Sequence, residues 1–152
     1  MIQFRLMEEQ DVEAVSKIEE ETFSMPWRPE DFLDMIRKDN SYYVVAEEVK
    51  QTDSEVQKKI IASGGVMNIL GEGDITNIAV KASERGKGIG TALLTFLMEG
   101  GKKFGITAYT LEVRVSNQTA IHVYEKLGFV SEGIRRGFYD CPKEDAVIMW
   151  KR

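Results

Sequence analysis

The segment ITNIAVKASERGKGIGT, residues 75–91, combines the signals of a buried strand, a glycine-rich turn and the start of a helix. Glycines stand at positions 86, 88 and 90, where they allow a ligand to approach the backbone closely. The residues that follow are apolar at the spacing of a core-facing helix, namely Ile89, Ala92, Leu93, Phe96 and Leu97. Because the amides at a helix N-terminus favour an anion, the segment predicts a site for a phosphate-bearing cofactor.

The spacing of these glycines decides which cofactor is expected. A Walker loop needs Lys followed by Ser or Thr, and a dinucleotide fingerprint needs a further glycine where Thr91 stands. The turn instead fits Arg-x-x-Gly-x-Gly, which resembles the acetyl-CoA pyrophosphate loop of the GNAT N-acetyltransferase superfamily. This resemblance implies acetyl-CoA contacts from Arg85, Gly86, Lys87, Gly88, Ile89, Gly90 and Thr91.

A second informative segment is LEVRVSNQTAIHVYEKLGF, residues 111–129. Its first residues alternate between apolar and polar, so a strand buries one face and presents a carboxylate on the other. Ser116 or Asn117 can cap the helix that follows, and Gly128 can end it in a left-handed conformation. The segment resembles the second half of a GNAT domain and, more specifically, the RimI-type ribosomal-protein alanine N-acetyltransferases.

Two further segments resemble the same enzymes. Residues 23–27, FSMPW, are similar to a Phe-x-x-Pro-Trp motif, and residues 134–149 are similar to the closing strands of the family. The resemblance extends from about Phe4 to Trp150. One departure, Gly137 and Phe138 in place of Asn and Tyr, lies on the side expected to bind the acceptor peptide.

Composition favours one small domain comprising residues 1–152, of which 43% are hydrophobic. No apolar run approaches a membrane span, and the net charge of −5 disfavours nucleic acid as a partner. A single cysteine excludes an internal disulfide and suits the cytoplasm, and with one histidine it offers no zinc cluster. We therefore expect a cytoplasmic protein that needs no metal, and the GNAT resemblance implies acetyl-CoA as its co-substrate.

The order of the elements indicates an α/β or α+β sheet flanked by helices. Asp11 is expected to cap the first helix, Pro29 to begin the second, and Gly64-Gly65 to mark a bulge in the third strand. The polar stretch 50–59 is expected to form a hairpin loop. The GNAT resemblance implies a single mixed, mostly antiparallel seven-stranded sheet whose fourth and fifth strands are parallel and splayed.

Acetyl transfer to an amine requires a base for the attacking nitrogen and an acid for the leaving thiolate. Glu112, polar on an apolar strand, is the candidate base; it could equally be a solvated residue paired with Arg114. The resemblance identifies Glu112 as the general base and Tyr124 as the general acid. A rival base is Glu72 or Asp74, although solvated turn residues are the simpler interpretation of both.

The remaining site predictions rest on the resemblance. It implies that the main chain of Ile78, Ala79 and Val80 faces acetyl-CoA and that Asn117 contacts it. Trp27 and Tyr139 are expected to line the peptide groove, although Trp27 could instead pack a helix onto the sheet. Arg135 and Arg136 are interpreted as surface charges, and His122 as an exposed helix residue.

The function predicted in this way is direct transfer of acetyl from acetyl-CoA to a protein N-terminal α-amine within a ternary complex. The resemblance implies the N-terminal alanine of a small-subunit ribosomal protein as the acceptor. Two alternatives remain open from the residues: acetylation of a lysine side chain or a small amine such as an antibiotic or polyamine, and non-catalytic binding of acetyl-CoA. Cys141 and His122 lie far apart in sequence, which disfavours a covalent acetyl-cysteine route.

Overall fold

A computed structural model describes residues 1–152 and shows one seven-stranded sheet with four α-helices. The strand order across the sheet is β1-β2-β3-β4-β5-β7-β6. The strands are β1 (Ile2–Leu6), β2 (Ser41–Gln51), β3 (Val56–Ile69), β4 (Glu72–Val80), β5 (Ala108–Arg114), β6 (Val130–Tyr139) and β7 (Glu144–Lys151). The helices are α1 (Val12–Thr22), α2 (Pro29–Ile36), α3 (Ile89–Lys103) and α4 (Gln118–Lys126). No helix combines the length and the apolar character that crossing a membrane requires.

The centre of the sheet opens where β4 and β5 separate. All neighbouring strands are antiparallel except these two, which pair in parallel only between Glu72–Asp74 and Ala108–Thr110. Beyond Asp74, β4 carries a bulge at Asn77, because Gly65 pairs with Thr76 whereas Ser63 pairs with Ala79. The bulge increases the bend of β4 and leaves its remaining edge without a strand partner. The predicted mixed sheet with splayed fourth and fifth strands is confirmed.

Helices cover both faces of this sheet. Alternate side chains of β2 show this, because they belong to two different apolar clusters. Val44 and Ala46 belong to the larger apolar cluster, which contains the buried face of α3, whereas Tyr43 and Val45 belong to the smaller cluster formed with α1 and α2. Successive strand residues point to opposite faces, so a strand buried on both sides supplies both clusters. The sheet is therefore held between α3 and α4 on one face and α1 and α2 on the other.

Two local predictions need correction. Asp11 ends a 3₁₀ turn, and its side chain makes no cap bond to α1; the carboxylate instead binds Arg5 at 2.7 Å and accepts the Glu8 amide at 2.8 Å. The polar stretch 50–59 forms a hairpin as expected, but its loop is shorter than predicted, since β2 continues to Gln51 and β3 begins at Val56. Residues 56–59 are exposed, so this end of β3 carries no apolar alternation.

Candidate active site

The loop between β4 and α3 presents a row of unpaired backbone amides. Gly86 and Gly88 adopt φ values of 80° and 78°, and Gly88 is the N-cap of α3. None of the amides from residue 86 to residue 91 donates a hydrogen bond to another backbone group or to a side chain. A side chain at Gly86 or Gly88 would meet no atom within 4 Å, so the space above the loop is open. The loop is therefore shaped to receive an anion on its main chain.

The charged side chains of this loop fix its position. Arg85 donates from Nε to the carbonyl of Val80 at 3.1 Å, which ties the loop to the last residue of β4. Lys87 lies with its Nζ 3.2 Å from the carboxylate of Glu84, a buried residue. The amides are consequently held beside the splayed edge of β4, where residues 78–80 have no partner in β5.

Glu112 lies on β5, two residues beyond Thr110, the last residue of β5 that pairs with β4. It is half-buried, and its Oε1 lies 3.4 Å from Nη1 of Arg135 on β6. Burial raises the pKa of Glu112 and the carboxylate of Asp74 raises it further, whereas Arg135 opposes both effects. Arg114 is not its partner, because Arg114 forms an ion pair with Glu144 at 3.1 Å. The carboxylate is thus partly desolvated and can hold or release a proton at a higher pH than an exposed glutamate.

Asp74 is the second carboxylate at this opening. It pairs with Thr110 in the last register of the parallel ladder and is half-buried, whereas Glu72 is exposed at the start of β4. Burial raises the pKa of Asp74, and Arg135 counteracts part of that effect. Asp74, Glu112 and Arg135 therefore form one charged cluster at the point where the strands diverge.

Tyr124 lies on α4 and packs against the larger apolar cluster. Asn117 caps this helix by accepting the Ala120 amide at 3.2 Å, as predicted from the sequence. The ring of Tyr124 lies 6.0 Å from that of Phe129 in an edge-on arrangement, and Gly128 between them adopts a φ of 98°. Burial, with a smaller contribution from Tyr139, raises the pKa of Tyr124 to about 12. Its hydroxyl therefore stays protonated at neutral pH and is available as a proton donor.

The comparison with known proteins agrees with this geometry. Residues 12–129 match the Acetyltransferase (GNAT) family. The chain belongs to the GNAT acetyltransferase family. It is 32% identical over 145 residues to the ribosomal protein bS18-alanine N-acetyltransferase of Escherichia coli K12, covering 94% of this chain and 92% of that protein.

Solved structures give the same result. The crystal structure of the ribosomal-protein-S18-alanine N-acetyltransferase from Escherichia coli matches with a TM-score of 0.85 and 31% identity, covering 99% of this chain and 93% of that one. NAA60 of Arabidopsis thaliana, solved with a bisubstrate analogue, matches with a TM-score of 0.88 over 99% of this chain and 98% of that one. At 18% identity, the second likeness shows the fold alone.

In this GNAT acetyltransferase an arginine, Arg114, stacks on the aromatic ring at the end of β6. The guanidinium of Arg114 lies 4.4 Å from the ring centre of Tyr139 and also approaches Oγ of Ser24, at 3.5 Å. Trp27 packs its ring 5.3 Å from that of Phe32, as the packing interpretation expected. Thus the segment before α2 meets the β6–β7 hairpin through Arg114, and the groove-lining roles of Trp27 and Tyr139 stay predictions.

The ion-pair partner of Glu112 was not predicted from the sequence. Arg135, interpreted as a surface charge, pairs with Glu112 although it is distant in sequence and more than half exposed. The sequence shows two adjacent arginines, Arg135 and Arg136, and does not indicate which of them meets Glu112. His122 and Cys141 are both exposed, and His122 pairs with Glu125 on its own helix.

Proposed function

We propose that this chain transfers acetyl from acetyl-CoA to the N-terminal α-amine of a protein in the cytoplasm, by direct transfer in a ternary complex. The observation that carries the proposal is the row of free amides in the β4–α3 loop, beside the edge of β4 that has no partner in β5. In this proposal Glu112 and Tyr124 act on the two substrates at that opening. The E. coli relative supports the N-terminal alanine of ribosomal protein bS18 as the acceptor.

The residues around the opening fit acetyl-CoA. In this proposal the amides of residues 86–91 hold the diphosphate, with Arg85 and Lys87 adding positive charge, and Asn117 contacts the cofactor from the start of α4. The main chain of Ile78, Ala79 and Val80, which has no strand partner on the β5 side, faces the acyl end and polarises its carbonyl. Acetyl-CoA supplies the acetyl group as an activated thioester.

Two side chains move the protons. An α-ammonium has a pKa of about 7.7–8.0, so near neutral pH a carboxylate can take its proton either directly or through a water molecule. Glu112 accepts that proton. Its raised pKa lies closer to the pKa of the α-ammonium than the pKa of an exposed glutamate would. Tyr124 donates its hydroxyl proton to the departing thiolate, whose thiol titrates near about 8.5. Trp27 and Tyr139 border the acceptor peptide.

A CoA-release assay tests the proposal. The acceptors are short peptides with different free first residues, their N-terminally blocked lysine-containing counterparts, and spermidine. We expect activity confined to free α-amines and greatest for alanine. Activity on blocked lysine peptides or on spermidine would instead identify the side-chain or small-amine enzyme. Acetyl-CoA binding without CoA release from any acceptor would identify a non-catalytic module.

A Glu112→Gln variant tests the base in the same assay. We expect it to lower kcat by about 10²-fold or more at neutral pH, since a positioned general base contributes a factor of this size. Calorimetry should give a near-normal affinity for acetyl-CoA, because Glu112 lies outside the cofactor loop. Unchanged turnover, with chemistry shown to limit the rate, would reject Glu112 as the base.

A further inference from the structure

One buried carboxylate outside the proposed proton path joins three parts of the fold. Glu19 lies on α1 and is 2% exposed. Its Oε2 accepts a hydrogen bond from Nδ2 of Asn77 at 2.8 Å and another from the amide of Trp27 at 3.1 Å. A single oxygen atom therefore connects α1 to the bulge of β4 and to the segment that precedes α2.

Packing alone does not account for a carboxyl group at this position. Burying a carboxyl costs free energy, and an apolar residue of similar size would usually be at least as stabilising. Oε1 of Glu19 has no hydrogen-bond partner, and the buried hydroxyls of Tyr43 and Ser63 have none either. Burial raises the pKa of Glu19, while the two donated bonds oppose the rise. Such a group is expected where its bonds position other atoms.

The bond to Asn77 acts on the bulge itself. Asn77 has a φ of 55°, a left-handed conformation that asparagine tolerates better than most residues. Its Oδ1 accepts from the hydroxyl of Thr76 and its Nδ2 donates to Glu19, so both ends of the amide are fixed. The three residues that follow are those whose main chain we place against acetyl-CoA. The direction of that main chain depends on the bulge.

The bond to Trp27 acts on the acceptor side. The Trp27 amide lies near the end of the connection between α1 and α2, two residues before Pro29 begins α2. Ser24 in the same connection approaches Arg114, which stacks on Tyr139. Fixing the Trp27 amide therefore fixes one wall of the groove that we assign to the peptide.

We propose that Glu19 is a positioning residue that aligns both substrate surfaces, the acetyl-CoA main chain through Asn77 and the acceptor groove through Trp27. This inference rests on the proposed function for the identity of the two substrates. The two bonds are separable: Asn77→Gly keeps the left-handed backbone and removes only the first, whereas Glu19→Ala removes both. Glu19→Gln keeps an acceptor oxygen for both and is the conservative variant.

Two measurements separate the branch through Asn77 from the branch through Trp27, namely the affinity for acetyl-CoA and the KM for an alanine peptide. Calorimetry without acceptor gives the first quantity, and initial rates at saturating acetyl-CoA give the second. Losing a hydrogen bond to a charged group changes a binding constant by about a factor of ten. We therefore expect Glu19→Ala to lower the affinity for acetyl-CoA and to raise the KM for the peptide, each by about that factor. Asn77→Gly should lower only the affinity for acetyl-CoA. The variant that combines Glu19→Ala with Asn77→Gly should bind acetyl-CoA no more weakly than Glu19→Ala alone. Glu19→Gln should restore both values to within about threefold of the wild type.

Controls and contrary outcomes are specific. Glu20→Ala changes an exposed glutamate of the same helix and should leave both values unchanged. Equal substrate binding in Glu19→Ala and wild type, with only a lower melting temperature, would overturn the proposal, as would an acceptor KM raised equally by Asn77→Gly. If Glu19→Ala does not fold, Asn77→Gly and Glu19→Gln give the same test of the first branch. Failure of the wild type to acetylate any α-amine would reject the proposed function, whereas calorimetry would still decide the Asn77 branch.

Discussion

At the scale of single residues, the proximity of Asp74 and Glu112 determines the pH at which the proposed base works. Burial and the nearby carboxylate of Asp74 both disfavour ionisation of Glu112, and Arg135 offsets part of this effect. The acidic limb of kcat/KM reports loss of the ionised base as pH falls. Because the pKa of Glu112 is raised above 4.5, this limb should begin at a higher pH than an exposed glutamate would give.

Substitutions around Glu112 should move that limb in opposite directions. Asp74→Asn removes the like charge, lowers the pKa of Glu112 and shifts the limb to lower pH, whereas Arg135→Ala raises the pKa and shifts it to higher pH. The α-amine of the peptide titrates as well, so the difference between variants on one peptide is the quantity to measure. Glu72→Gln, an exposed acid of the same strand, is the control. Identical limbs in Asp74→Asn and Arg135→Ala would contradict electrostatic control of this base.

Tyr124 should show its role in turnover and leave cofactor affinity unaffected. Tyr124→Phe keeps the edge-on ring against Phe129 and removes only the hydroxyl, so we expect kcat to fall by about 10²-fold. Acetyl-CoA affinity by calorimetry should stay near the wild-type value. Because the pKa of Tyr124 is about 12, the wild type should show no basic limb from this group below about pH 10. A kcat unchanged by Tyr124→Phe would remove Tyr124 from the proton path.

At the scale of elements, the β4–α3 loop depends on the conformation of Gly88. A bulky residue at its φ of 78° would strain the N-cap of α3 and occupy the open space above the amides. We expect Gly88→Val to weaken acetyl-CoA binding by about tenfold or more, because both the amide direction and the access change. Gly105→Ala is the matched control: its φ is 83° at the other end of α3, and its Cβ would meet only Asn68, at 3.9 Å. Equal affinity losses in the two variants would attribute the effect to backbone strain alone.

The same elements show which features a sequence can predict. Helix α4 was predictable from local signals, since Asn117, the apolar spacing and Gly128 all lie within one stretch of chain. The strand ends within the hairpin at 50–59 were not, because residues 50–51 and 56–59 are exposed and lack the alternation that a half-buried strand requires. The bonds of Glu19 to Asn77 and of Arg135 to Glu112 were also not predictable, since each joins residues that only the sheet topology brings together.

At the scale of the whole molecule, Arg5 joins the edge of the sheet to the first helix. Its guanidinium binds Asp11 at 2.7 Å and Glu47 at 3.2 Å, and both carboxylates are buried. The bond from Arg5 is the main reason why the pKa of Glu47 is lowered. Burial acts to raise the pKa of Asp11, but the bonds from Arg5 and the Glu8 amide together lower it. Groups with lowered pKa values stabilise the fold above their unfolded pKa, and this contribution is lost as pH falls through the folded values.

Arg5→Met should therefore destabilise the protein in a pH-dependent way. Leaving two buried carboxylates without their cation should cost about 2–3 kcal/mol near neutral pH, measured by urea unfolding. The difference from wild type should narrow as pH falls below the ordinary carboxyl values of 4.5 and 3.8, because protonation relieves the unpaired charges. Arg37→Met, which breaks an exposed pair with Glu9, should cost less than about 1 kcal/mol at every pH. If the Arg5→Met difference stayed constant from neutral to acidic pH, the two carboxylates would not be the groups that Arg5 stabilises, and the link between β1, β2 and α1 would rest on packing alone.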